Sequence, residues 1–188
     1  TINEIKNSGV KFLLVSGDLT KDGEKINHEK VAEAFTKLKS SGIKVFVTPG
    51  NHDVNNPVAY RYVGDKTEPV ETVTPEQFAE IYGDFGYKNA LYRHKSSLSY
   101  VAEPDNNLWL ITIDGCRYKE NKAGNEPLVS GKLSQDLVNW IEDILKKAKQ
   151  QNKAVMVLTH HGLVEHWNGQ SRLHAEYLME DYKYISEM

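Results

Sequence analysis

The sequence has little cysteine, no excess of basic charge and no long apolar run. Its one cysteine, Cys116, cannot form an intrachain disulfide, so a disulfide-stapled domain is excluded. Acidic residues outnumber basic residues by 26 to 23, which gives a formal net charge of −3 and argues against a nucleic-acid-binding surface. No apolar run approaches the roughly 20 residues that a membrane-spanning helix needs. The sequence also contains neither a Walker loop nor a G-x-S-x-G nucleophile elbow.

The length and the two ends of the sequence bear on its domain organisation. A chain of 188 residues suits one domain, which we take to span residues 1–188. The chain starts at Thr1 without a signal peptide, and residues 1–8 are typical of the last turns of a helix that Gly9 ends. We therefore expect an excerpt of a longer protein. A missing targeting segment then leaves both a cytoplasmic and a secreted location open.

Three apolar runs each end in small and polar residues. Residues 12–16 lead into Gly17-Asp18, residues 43–47 lead into Thr48-Pro49-Gly50-Asn51-His52-Asp53, and residues 154–158 lead into Thr159-His160-His161-Gly162. In open α/β sheets, ligands bind outside the carboxyl ends of the strands, so we expect these polar groups to lie close together. Carboxylate, amide and imidazole groups together suit a divalent ion such as Mn, Fe, Co or Zn.

Turn formation is the alternative interpretation of two of these segments. Asp18 suits a helix cap or an Asx-turn, and the Pro-Gly-Asn-Asp content of residues 49–53 favours a turn. Two adjacent imidazoles at a strand end are harder to explain by packing, because a buried histidine needs polar partners. The pair at His160 and His161 therefore favours a ligand role for at least one of them.

The rest of the sequence indicates a strand–helix alternation. Helical spacing predicts helices over 24–40, 74–82, 134–150 and 176–188, and a half-exposed strand over 97–102 pairs with a strand over 108–113 as a hairpin. Residues 54–74 are typical of a long connection beside the site, in which Tyr60, Arg61 and Tyr62 could contact a phosphate or a base or could pack the loop down, and we favour packing. We expect His28 to be a surface residue, Asp114 to stabilise a turn and Cys116 to be inert.

These motifs resemble those of the calcineurin-like metallophosphoesterase family. That family carries D-x-H, G-D, G-N-H-(D/E), a later histidine at a strand end, and G-H-x-H. The sequence matches the second motif at Gly17-Asp18, the third at residues 50–53 and the fourth at His160-His161. The resemblance spans most of the chain and implies an α/β fold, a four-layer αββα sandwich. The sandwich would be incomplete at both ends, because the D-x-H and G-H-x-H motifs are missing.

The resemblance also implies a role for each matching residue. Asp18 would bridge two divalent metal ions (Mn, Fe, Zn or Co), and Asn51 and His160 would bind one of them. His52 would be the catalytic imidazole, with Asp53 orienting it and His161 as a substrate-binding residue. A metal-bridging hydroxide would attack the phosphorus. We prefer His160 to His161 as the ligand, although Gly162 stands where the family commonly has proline. With two motifs missing, we expect these 188 residues alone to bind metal poorly and to be inactive.

The residues within and around the matching motifs imply a subclass of this family. Gly17-Asp18-Leu19-Thr20 followed by Gly23, with the third motif ending in aspartate, is similar to bacterial cyclic-nucleotide and related phosphodiesterases. Protein Ser/Thr phosphatases have a second aspartate where this sequence has Lys21. We therefore expect a phosphodiesterase that acts on a small phosphoester. A phosphomonoesterase, a nuclease and a non-catalytic scaffold of the same fold are the alternatives.

Overall fold

Two packed sheets, their flanking helices and a separate two-stranded hairpin make up the structure, a computed structural model that describes residues 2–180 and 182–187. The helices are α1 (Ile2–Asn7), α2 (Lys25–Lys39), α3 (Pro75–Ile81), α4 (Gln135–Gln150), α5 (Gln170–Leu173) and α6 (Tyr182–Ser186). The strands are β1 (Phe12–Val15), β2 (Lys44–Val47), β3 (Tyr60–Val63), β4 (Lys66–Pro69), β5 (Tyr92–Arg93), β6 (Tyr100–Asp105), β7 (Leu108–Ile113) and β8 (Ala154–Thr159). None of the described helices is long and apolar enough to cross a membrane.

The two sheets differ in their strand directions. Strands β1 and β2 are parallel, in a register that pairs Phe12 with Lys44 and Val15 with Val47. The second sheet has the order β5-β6-β7-β8. Within it, β6 and β7 form the predicted antiparallel hairpin, and β7 and β8 are parallel. Since β1, β2 and β8 each have a parallel neighbour, their carboxyl ends are available to form a site at a sheet edge.

Helices pack against both sheets and produce four layers. Phe35 and Leu38 of α2 belong to one buried cluster with Val45 and Val47 of β2, which continues into the second sheet at Tyr100. The apolar side of α4 packs against the far face of β7 in a second cluster. The order helix, sheet, sheet, helix confirms the predicted αββα architecture.

Helix α2 corrects the interpretation of His28. The helix begins at Lys25 and ends at Lys39, close to the predicted bounds, but His28 is completely buried rather than on the surface. Its neighbours in sequence are polar, yet its ring packs edge-on against Phe78 and Tyr82 of the adjoining helical segment. The apolar side of α2 is therefore wider than the spacing of its aliphatic residues indicates.

The connection between β2 and α3 also differs from the prediction. It contains the antiparallel hairpin β3–β4, in which Tyr60 pairs with Pro69 and Val63 pairs with Lys66. Tyr60, Arg61 and Tyr62 do not pack the loop down, because every residue of both strands is exposed. Helix α3 follows with the predicted capping box between Thr74 and Gln77.

Two other predicted elements are shifted. The strand expected over 97–102 is Tyr100–Asp105, and Tyr100, Val101 and Ala102 are buried rather than half exposed, because helices or strands cover both faces. The helix expected over 176–188 is replaced by a short 3-10 turn, Ala175–Tyr177, followed by α6. Residues 181 and 188 of that prediction lie outside the described residues.

Candidate metal centre

The three polar strand ends meet, as the sequence predicts. The Nδ1 atom of His160, at the end of β8, lies 2.7 Å from the carbonyl oxygen of Ser16, directly after β1. The Nε2 atom of the same ring lies 3.1 Å from Oδ1 of Asn51, which follows β2. The backbone N–H of His52 donates to Oδ1 of Asp18 over 3.3 Å, which joins the loops that follow β1 and β2. One point in space therefore gathers side chains from three strands.

Two glycines allow these loops to come so close. A Cβ atom on Gly50 would lie 2.1 Å from Oδ1 of Asp18, and one on Gly17 would lie 2.3 Å from the backbone nitrogen of Gly50. Gly17 has a φ of +95°, and Asp18 has a φ of +50°, which is uncommon for a residue other than glycine. The backbone at Asp18 is thus held in a sparsely populated conformation, as is common at functional sites.

The hydrogen bond at Nδ1 fixes the chemistry of His160. A carbonyl oxygen only accepts, so Nδ1 of His160 carries the proton and Nε2 presents a lone pair. That lone pair faces Oδ1 of Asn51, and Oδ1 of Asp18 lies 3.6 Å away. Three acceptor atoms therefore converge. The amide nitrogen of Asn51 is buried without a hydrogen-bond partner. Exchanging the amide oxygen and nitrogen would let that nitrogen donate to Nε2 of His160. The carboxylate of Asp18 would still face the same nitrogen of His160.

The spacing of these acceptors fits a divalent cation. Two ligand atoms that each lie about 2.1 Å from the same cation are about 3.0 Å apart when the coordination is octahedral and about 3.4 Å apart when it is tetrahedral. The distances from Nε2 of His160 to the two oxygens are 3.1 and 3.6 Å. Among residues 2–180 and 182–187, no three His, Cys, Asp or Glu residues group to hold an ion, so this donor set depends on the Asn51 amide.

His161 has surroundings unlike those of His160. Its Nε2 donates to the carbonyl oxygen of Val129, and its Nδ1 is buried without a hydrogen-bond partner. Burial lowers the pKa of the imidazole below its ordinary value, so the ring is neutral. The ring of His161 stands edge-on to that of His160, with the ring centres 4.8 Å apart. The structure thus directs the His160 ring, rather than the His161 ring, toward Asp18 and Asn51.

The carboxylate that contacts His52 is that of Asp22. Its Oδ1 lies 3.6 Å from Nδ1 of His52, and Nδ1 is inaccessible to solvent. The side chain of His52 is 38% exposed, so the exposed part lies elsewhere on the imidazole. Asp22 is not prominent in the sequence, where it can equally begin helix α2. The sequence feature that could have identified Asp22 is its position four residues after Asp18, in the loop that follows β1.

Asp53 supports the loop from inside the protein. Its carboxylate is completely buried and accepts N–H groups from Gly50 and Thr20, over 2.8 and 3.1 Å. Burial raises the pKa of Asp53 to about 7, while these N–H donors act to lower it. The carboxylate faces the backbone on both sides of the site. Its geometry therefore serves to hold the loops together.

His28 completes this buried support. Its Nε2 lies 2.9 Å from the carbonyl oxygen of Asp53, and its Nδ1 lies 2.8 Å from the hydroxyl of Tyr82. Burial lowers the pKa of the imidazole to about 4, so the ring is neutral near pH 7. The third-motif loop is thus attached to helices α2 and α3. No pattern in the sequence marks this contact.

Asp114 and Cys116 lie behind the site and have structural contacts. The buried carboxylate of Asp114 accepts N–H groups from Leu98 and Cys116, in keeping with the expected turn-stabilising role. The thiol of Cys116 donates to the carbonyl oxygen of Pro49 over 3.5 Å. Burial raises the pKa of this thiol well above its ordinary value, which keeps it protonated and unreactive.

Comparison with known proteins agrees with the fold and identifies a family. The sequence matches the calcineurin-like phosphoesterase family over residues 1–187. One similar solved structure is a dimetal phosphatase from Danio rerio, with a TM-score of 0.52 and 11% identity. The similarity covers 87% of this chain and 58% of that one, so the chain spans well under two thirds of that length. No match was found among curated proteins. The family match extends over nearly the whole sequence, and the chain therefore belongs to the calcineurin-like phosphoesterase family.

Proposed function

We propose that this protein is a metal-dependent phosphoester hydrolase, that it works with two divalent cations, and that its substrates are phosphodiesters. The observation that carries the proposal is the convergence of three acceptor atoms from His160, Asn51 and Asp18. Acceptors that face one another are unfavourable unless a proton or a metal cation lies among them, and imidazole, amide and carboxylate suit a borderline divalent ion. The family and the dimetal phosphatase neighbour support the same chemistry.

Each side chain has a separate task in this proposal. Asp18, Asn51 and His160 would hold a cation, and the carboxylate of Asp18 would be shared with a second one. The bound ions would supply the nucleophile by lowering the pKa of water and would neutralise charge on the phosphoryl oxygens. The Ser16 carbonyl keeps the proton of His160 on Nδ1, so that Nε2 can act as a ligand.

His52 would transfer the proton. As an imidazolium, the ring would carry a proton on both nitrogens: Nδ1–H would face the carboxylate of Asp22, and Nε2–H would be given to the departing ester oxygen, which leaves a neutral imidazole. Asp53 acts at a distance, because its carboxylate holds the backbone of Gly50 and Thr20 rather than the imidazole. We therefore assign Asp53 to positioning and His52 to catalysis.

Hydrolysis of two model esters tests the proposal. Full-length protein would be assayed with bis(p-nitrophenyl) phosphate and p-nitrophenyl phosphate, with Mn²⁺, after chelation, and as the His52→Ala variant. We expect diester hydrolysis that chelation abolishes, that Mn²⁺ restores, and that the variant loses by a factor of about 10² to 10⁴. Preferential hydrolysis of the monoester would instead identify a phosphomonoesterase. A folded protein that hydrolyses neither ester and binds no metal would contradict the proposal and favour a scaffold.

A further inference from the structure

The hairpin β3–β4 exposes aromatic side chains that the fold does not need. All eight residues of its strands are exposed, so neither face of the hairpin is buried in the core. Tyr60 is 38% exposed and Tyr62 is 68% exposed, although tyrosine usually buries most of its ring. Exposed apolar surface that is not used in packing commonly marks a binding site.

A run of contacts connects this hairpin with the candidate catalytic residues. The ammonium group of Lys21 lies 3.2 Å from the hydroxyl of Tyr62 and 2.8 Å from Oδ2 of Asp22. The other oxygen of Asp22 faces Nδ1 of His52. Tyr62 is thus separated from the catalytic imidazole by two side chains only. A group attached to a phosphorus atom at the site could extend toward the hairpin.

A groove lies between the hairpin and the first turns of helix α2. Its volume is about 760 Å³, within the range of roughly 300 to 1,000 Å³ that is usual for small-molecule sites. Its apolar lining comes from Ile26, Tyr60, Tyr62 and Val70, and Lys21 lies at its side toward the site. The groove therefore combines this apolar surface with charged side chains of both signs, among them Lys21 on the side of Asp22 and His52.

We propose that this groove binds the organic group of the phosphoester substrate, that this group carries a flat aromatic ring, and that Tyr62 determines the preference for it. The proposal deepens the proposed function and rests on it. The ring of Tyr62 is largely exposed while the Lys21 ammonium, 5.6 Å from the ring centre, restrains it. A restrained aromatic ring can stack on another ring with little loss of conformational entropy, whereas an aliphatic group gains only the burial of its surface.

Two non-hydrolysable ligands test the proposal by binding alone. Butylphosphonate and 4-phenylbutylphosphonate share the phosphonate and the four-carbon chain and differ in the terminal phenyl ring. Their dissociation constants would be measured by calorimetry with Mn²⁺-loaded full-length protein. We expect the phenyl compound to bind about fivefold or more tightly than butylphosphonate. In the Tyr62→Ala variant, the two affinities should become nearly equal.

Two further variants separate the ring from other effects. Tyr62→Phe keeps the ring and removes the hydroxyl that contacts Lys21, so the preference should persist. Tyr184→Ala removes a tyrosine of similar exposure, 61%, that does not line the groove, and should leave the preference unchanged. Equal affinities in the wild type, or a preference that survives Tyr62→Ala, would overturn this inference alone. If neither phosphonate binds, the phosphoryl site itself is absent and the proposed function fails as well.

Discussion

The loops that follow β1 and β2 and the hairpin β3–β4 are built in opposite ways. At the strand ends, Gly17 and Gly50 bring two backbones into contact, and the carboxylate of Asp53 joins both loops from a buried position. In the hairpin, Gly64 has no atom within 4 Å of the place that a Cβ would take, and both strands are exposed.

Under the proposed function, this difference matches different tasks of the two regions. Metal ligands must be held at fixed distances, which buried backbone contacts can do. A surface that contacts the variable part of a substrate needs no such support, and loops that carry it tolerate change. The account therefore predicts large effects for substitutions at the strand ends and small effects for equivalent ones in the hairpin.

Matched glycine substitutions should show the largest contrast. Gly50→Ala places a methyl group against Asp18, so the loops must separate, and we expect Mn²⁺-dependent hydrolysis to fall at least about hundredfold. Gly64→Ala meets no neighbouring atom and should change hydrolysis less than about twofold. It carries only the strain of a residue at a φ of +61°, roughly 1 kcal/mol. Similar losses of activity in the two variants, both shown to be folded by circular dichroism, would contradict the contrast.

Substituting the two adjacent histidines should have the next largest effect. His160→Gln removes the Nε2 lone pair that faces Asn51 and Asp18, and we expect the affinity for Mn²⁺ to fall about 10- to 100-fold. In His161→Gln the affinity should change little, because the His161 ring donates to Val129 and does not face the acceptors. Calorimetric titration with Mn²⁺ measures both. The reverse order of the two losses would make His161 the ligand.

A smaller effect should appear in the pH dependence of stability. Folded His28 has a pKa of about 4, lowered by burial from its ordinary 6.5. The unfolded chain therefore takes up a proton below pH 6.5 that the folded chain does not, and the free energy of unfolding falls as the pH falls from 6.5 toward 4. Between pH 6.5 and 4.5, we expect wild-type protein to lose about 2 kcal/mol more than the His28→Gln variant.

Urea denaturation at several pH values measures this difference. Asp53 contributes with the opposite sign, because burial raises its pKa to about 7, but it is present in both proteins. The comparison therefore reports the imidazole together with any change that its loss causes in the adjacent Asp53. Equal pH slopes in the two proteins would show that His28 is accessible to protons in the folded state.

The smallest effect is expected in the hairpin. Arg61 and Glu68 pair across its strands at 2.6 Å, with side chains that are 67% and 49% exposed. Exposed pairs of this kind contribute less than about 1 kcal/mol, so Arg61→Ala should shift the free energy of unfolding by no more than that. A larger loss in thermal unfolding would show that the hairpin is part of the cooperative fold rather than an attached binding element.

The sequence predicts what depends on short-range pattern. Apolar runs that end in Gly-Asp, Gly-Asn-His-Asp and His-His identify both the strands and the polar groups beyond them. Parallel pairing of β1 with β2 then brings the groups after these two strands together, whereas His160 reaches them from the other sheet through the packing of the two sheets. The strand–helix alternation and a site at the strand ends follow from this reasoning, whereas the αββα layers are implied only by the resemblance to the family.

The remaining features depend on contacts between distant segments. His28 looks like a surface residue because its polar neighbours along the chain conceal the packing of Phe78 and Tyr82 against it. The contact between Asp22 and His52 depends on how two loops approach each other. The sequence predicts only a connection where the hairpin lies, because each strand has just four residues and neither buries a side in the core.

Manganese binding by wild-type protein and by the Asp18→Asn variant tests the central claim most directly. Asp18 is the carboxylate that the strand ends bring to the lone pair of His160, and its replacement by an amide removes a charge without changing the shape. Titration of the full-length proteins, followed by electron paramagnetic resonance of free Mn²⁺, counts the bound ions. The account predicts tight binding in the wild type and a loss of at least one ion in the variant. Equal stoichiometry and affinity in both proteins would contradict it.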